Sequence, residues 1–111
     1  MDYLYCVQMY LPLRDKDGQP INTEMFNAMA EEVVEKFGGL TMTPLLGNPV
    51  YDGFWKSPRT KKTVRDKNSV FTIFVPQEEG SAEFFRDGKK KWQTSLNYEE
   101  LLIIVHQVQA L

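Results

Sequence analysis

One histidine, one cysteine, two tryptophans and a run of cations are the residues of this chain whose chemistry could carry a function. His106 is the only side chain whose ordinary pKa lies near neutrality, which makes it the weak candidate for a general acid or base. A plain structural or interface histidine near the end of a strand is the simpler reading. Cys6 lies mid-segment beside Tyr5, where a cysteine is usually an inert packing residue. Zinc needs three or four ligands, and one His with one distant Cys does not supply them. Asp15, Asp17, Gly18 and Glu24 match the third, fifth, sixth and twelfth places of a calcium loop, but Leu13 stands where the first ligand belongs. The Asp-Gly turn is therefore read as an ordinary turn, and no metal is expected. Gly38-Gly39 follows a helical stretch rather than a strand, so it reads as a helix cap and not a phosphate cradle; no cofactor is expected.

Lys56, Arg59, Lys61, Lys62, Arg65 and Lys67 form a basic segment interrupted by Asp66, with Phe54 and Trp55 at its start. Such a segment suits a small anion, or single-stranded nucleic acid with Trp55 stacking on a base. Against the second use stands a formal net charge of −2, because nucleic-acid binders usually carry a strong positive field. A solvated hairpin loop is the favoured reading of the run.

The elements that must position these residues follow from the pattern of apolar side chains. Residues 3–13 are rich in aromatic and β-branched types and read as a strand. Asn22 is placed to cap a helix, with Ile21 and Phe26 as a hydrophobic staple. Phe26, Met29, Ala30, Val33 and Phe37 recur at helical spacing, and Gly38-Gly39 ends the stripe. Residues 40–46 read as a second strand, interrupted at Gly47-Asn48-Pro49 and continued irregularly over 50–56. Residues 57–68 read as a polar connection, and 69–75 as a third strand. Ser81 is expected to cap a second helix striped by Phe85, Gly88, Trp92 and Leu96, with Gly88 marking close approach to the sheet. Residues 101–108 complete the order as a fourth strand. The expectation is one domain over 1–111: a ferredoxin-like βαββαβ fold, an antiparallel four-stranded sheet with two helices on one face.

The strands alternate poorly between apolar and polar residues, so the sheet face away from the helices is expected to be apolar. Large apolar faces are rarely left in water. A second copy of the chain, making a homodimer, is the expected cover, with the 47–68 segment as the other candidate. With 42% hydrophobic and 25% charged residues, the composition is that of an ordinary globular domain. No basic segment precedes an apolar stretch at the start, and the longest apolar run, 101–105, is far short of a membrane span. A soluble, cytoplasmic protein without a membrane partner is expected.

Phe37-Gly38-Gly39-Leu40-Thr41, then Gly53-Phe54-Trp55-Lys56, then Val64-Arg65-Asp66 before a strand, resembles a group of small uncharacterised bacterial proteins with a ferredoxin-like fold. The resemblance implies a fold rather than an activity, and this chain differs by a longer insertion over 44–52. If the pattern marks a site, it places Trp55, Arg65 and Asp66 there; Arg65 and Asp66 read equally as an ion pair closing a hairpin.

Three functions remain open on the sequence. The first is a non-enzymatic homodimeric interaction module using the open sheet face. The second is a small-molecule-binding protein or enzyme of the dimeric α+β barrel type. It would use Tyr10, Trp55 and Arg65, with Arg65 holding an anion and His106 as acid or base. The third is weak single-stranded nucleic-acid binding through the basic 56–67 loop.

Overall fold

The computed structural model describes residues 2–43 and 51–111. The elements follow the order β1 (Asp2–Pro12), α1 (Thr23–Phe37), β2 (Thr41–Met42), β3 (Tyr51–Lys56), β4 (Thr63–Pro76), α2 (Glu79–Ser95) and β5 (Leu102–Ala110). All pairings are antiparallel, in the order β2-β4-β1-β5, with β3 also on β4.

This arrangement overturns the four-stranded ferredoxin-like βαββαβ expectation. The segment between the helices supplies three strands among the described residues. β2 is cut to two residues, and β3 takes up the pairing along β4 where β2 leaves it. Asn68 pairs with Pro12 of β1 and with Tyr51 of β3, so β3 lies on the edge of β4 opposite β1. The physical reason for the miss lies in residues 63–68. All but Asn68 extend past the end of β1 and pair with β3 alone, so they bury little and carry the polar composition of a loop. The expected 44–52 insertion lies largely outside the described residues.

Side chains alternate across a strand, and the register assigns each to a face. Val7, Met9 and Leu11 of β1 share a face with Phe71, Ile73 and Val75 of β4, and both helices pack there. Phe26, Met29 and Val33 of α1 and Phe85, Trp92 and Leu96 complete this core. Fully burying one such large side chain contributes about 1.5–3 kcal/mol.

α1 starts as expected: the Asn22 side-chain oxygen accepts from the Glu24 N–H at 2.9 Å. It ends at Gly38, whose φ of 91° is left-handed and whose N–H donates to the Val34 carbonyl. α2 does not start at Ser81. Glu78 holds the cap position without a side-chain bond, and Ser81 lies inside the helix, buried, its hydroxyl without a protein partner. Gly88 is on the buried stripe as expected, but the sheet is not what requires it. A Cβ there would meet the Trp92 ring at 2.5 Å, so the glycine makes room for the indole one turn on.

The opposite face is less apolar than the sequence pattern implied. Its cross-strand rows run Val70–Tyr10–Leu102, Thr72–Gln8–Ile104 and Phe74–Cys6–His106. Cys6 and Val70 are shielded within the chain itself, whereas Phe74 and Leu102 are each 55% exposed. Neither helix is long and apolar enough to cross a membrane.

Candidate functional site

The β3–β4 hairpin is held against the segment that leads into β5. Ser57, in the turn, is buried. Its hydroxyl donates to the Glu99 carboxylate at 3.0 Å and accepts from the Thr60 N–H at 3.2 Å. Arg59 Nε donates to the same carboxylate at 3.2 Å, and the Glu99 side chain is only 15% exposed. Two residues back from Ser57, Trp55 lies against Tyr98, ring centres 5.7 Å apart. Tyr98 is fixed in turn by Gln93, whose carbonyl accepts from the Tyr98 N–H and whose side-chain oxygen accepts from the Leu101 N–H, each at 3.0 Å.

This docking shapes an open-sided cavity of about 320 Å³ lined by Tyr10, Phe54, Trp55, Tyr98 and Leu102, with Asn68 and Glu100 as its polar groups. The volume falls at the lower end of the range for small-molecule sites, roughly 300–1,000 Å³. Four aromatic rings from two strands and a turn converge on it. Glu100 supplies negative charge at the margin and is tied to Lys89 at 2.5 Å. Chemically, the site offers π faces, an amide and a carboxylate. It suits a flat, partly apolar molecule, and a positive charge on that molecule meets both rings and carboxylate.

The structure brings Tyr10 and Trp55 together in this cavity. Arg65 stands beside it, its guanidinium 5.5 Å from the centre of the Phe54 ring and opposite Phe54 in the strand register. Asp66 is in β4 facing Gly53, but its side chain lies outside the described residues. His106 is exposed on β5 opposite Cys6, four residues along the strand from Leu102, about 13 Å at ~3.3 Å per residue. It is not part of the lining.

Phe54, Asn68, Tyr98, Glu100 and Leu102 were not singled out as site residues in the sequence reading. Only the Phe54-Trp55 pair carried a signal. Tyr98 and Glu100 sit in a connection, and nothing in their spacing says that a hairpin turn about forty residues earlier will meet it.

The other candidates resolve into structure. Asp15 closes its own turn, accepting from the Asp17 and Gln19 N–H groups at 2.9 and 3.0 Å. Asn97 bridges Asp15 and Asp17 through its amide. The Gln19 N–H chiefly, with Asn97, Asp17 and Lys16 adding to it, holds the Asp15 carboxyl below its ordinary pKa. Burial pushes the Cys6 thiol up, away from the thiolate a nucleophile needs. Among the described residues no cluster of His, Cys, Asp and Glu could hold a metal ion. Within the basic segment, Lys56 ends β3, Arg59 is committed to Glu99, and Arg65 lies over Phe54.

No family model and no curated protein matches the chain. Among solved structures it is similar to a phage SAM lyase in complex with S-methyl-5'-thioadenosine. The likeness has a TM-score of 0.71 and spans 96% of this chain and 90% of that one at 10% sequence identity. At that identity the likeness is one of fold.

Proposed function

We propose that this chain binds a small adenosyl-type molecule, a sulfonium such as SAM or the thionucleoside derived from it, in the aromatic cavity beside the β3–β4 hairpin. The convergence of Tyr10, Phe54, Trp55 and Tyr98 around Asn68 and Glu100 carries the reading. A purine offers a π face to stack on tyrosine or tryptophan. A methylthio group is apolar enough to sit against Leu102. A sulfonium is a cation that aromatic faces attract. The similar fold of a protein whose structure holds S-methyl-5'-thioadenosine supports this choice of ligand class. No residue is carried over from that protein; the lining of this chain is argued on its own chemistry.

Calorimetric titration with SAM and with S-methyl-5'-thioadenosine tests the reading. Saturable one-to-one binding of either, lost in Tyr98→Ala, is the expected result. Incubation with SAM followed by chromatography reads turnover in the same samples: release of S-methyl-5'-thioadenosine makes the chain an enzyme, and bound but unchanged SAM makes it a binding protein. Absence of binding by both compounds overturns the proposal.

A further inference from the structure

β5 is an edge of the sheet and, among the described residues, pairs with β1 alone. It is nine residues long, Leu-Ile-Ile-Val-His-Gln-Val-Gln-Ala, with no proline, lysine or carboxylate. Side chains on both of its faces stand in solvent: Leu102 at 55% and Ile104 at 37% on the open face, Val105 at 45% on the helix side. Proteins blunt edges by keeping them short, charging them or placing proline on them, because the unpaired N–H and C=O groups of a long edge template another strand. The other edge follows that rule: β2 has two residues, and β3 ends on Lys56. β5 does not.

Along the helix side of β5 runs a groove of about 530 Å³, floored by Phe85, Ile103 and Val105 and rimmed by Arg86 and Lys89. Each rim cation already has a carboxylate, Glu79 at 2.6 Å for Arg86 and Glu100 at 2.5 Å for Lys89. The rim thus presents no uncompensated positive charge to a like surface.

We infer that the β5 edge is closed by a second copy of this chain, β5 against β5 antiparallel about a two-fold axis, which joins two sheets into one. A two-fold contact sets a surface against itself, so it is opposed wherever like charges meet. Apart from His106 the strand carries no ionisable side chain, so away from that residue it escapes that cost in any antiparallel register, and its exposed isoleucine and valine side chains gain cover. A charged partner segment has no counter-charge to find on this strand. The pairing also brings the far end of the partner strand toward Leu102, and so beside the mouth of the aromatic cavity.

Sedimentation equilibrium across a wide concentration range, with amide hydrogen exchange on the same samples, tests the inference. The expected mass is twice that of the 12.9 kDa chain. The β5 amides not bonded to β1 are expected to be protected. Ile104→Lys with Val105→Lys is expected to give a folded monomer whose outward β5 amides exchange freely, whereas Phe74→Lys, on the open face away from this edge, leaves the dimer intact. A wild-type monomer at every concentration, outward β5 amides that exchange at solvent rates, or a dimer split by Phe74→Lys overturns it. The exchange pattern of the wild type decides the matter even if the double lysine variant does not fold.

Discussion

The chain holds two aromatic clusters with a tryptophan in each, and the two tryptophans serve opposite ends. Trp92 is 1% exposed. It lies over Gly88 and against Phe84 and Phe85, and Phe37 extends the cluster by stacking on Phe85 at 5.6 Å. Its ring neighbours are aromatic, with the Lys91 ammonium 5.7 Å from the indole centre, and the cluster packs into the core between helices and sheet. Trp55 is half-buried, touches Tyr98, and shares its surroundings with an amide and a carboxylate around an open volume. The same ring is cement where its neighbours close over it and a binding surface where they do not. What keeps the second cluster open is that it is assembled across a hairpin and a turn, held by the hydrogen bonds among Ser57, Arg59 and Glu99 together with the Trp55–Tyr98 contact.

 

The largest expected effect breaks the cement. Trp92→Ala removes the biggest buried side chain and leaves a cavity, at a cost of about 3–5 kcal/mol. Chemical denaturation is expected to show a chain that is marginally folded at best. Gly88→Ala sharpens the point. On an exposed helix face the change would stabilise by about 1 kcal/mol. Here the new methyl collides with a confined indole, and overpacking costs about 1–3 kcal/mol. A net loss of stability is expected, and a net gain would show that Trp92 can move aside.

The sequence made the first cluster legible and the second nearly invisible. Phe85, Gly88, Trp92 and Leu96 recur at helical spacing, so periodicity alone puts them on one buried stripe. Asn22 and Gly38 mark the ends of α1 because capping is local chemistry. Residues 63–68 defeated the reading, since a strand with both faces wet has the composition of a loop. The start of α2 was misplaced because Ser81 looks like a cap, whereas the helix begins at Glu79 with no side chain capping it. Tyr10 and Trp55 were singled out from residue type. Their companions Tyr98 and Glu100 could not be, because their place depends on where the hairpin lands.

A smaller effect is expected at that landing. Glu99→Ala leaves the buried Ser57 hydroxyl without its carboxylate acceptor and frees Arg59. The loss of stability is expected to be about 1–2 kcal/mol, the usual cost of orphaning a buried polar group. Hydrogen exchange is expected to rise in β3 and the 57–62 turn while the β1 amides stay protected. Uniform loosening of the whole sheet would mean that the hairpin is held by something other than this contact.

The most direct measurement uses the tryptophans themselves, since the chain has only two. Trp55→Phe leaves Trp92 as the sole indole, and Trp92→Phe leaves Trp55. Titration with S-methyl-5'-thioadenosine is expected to change the fluorescence of the wild type and of Trp92→Phe, and to leave the emission of Trp55→Phe unmoved. A ligand response that persists in Trp55→Phe and vanishes in Trp92→Phe would place binding away from the hairpin cavity and contradict the account.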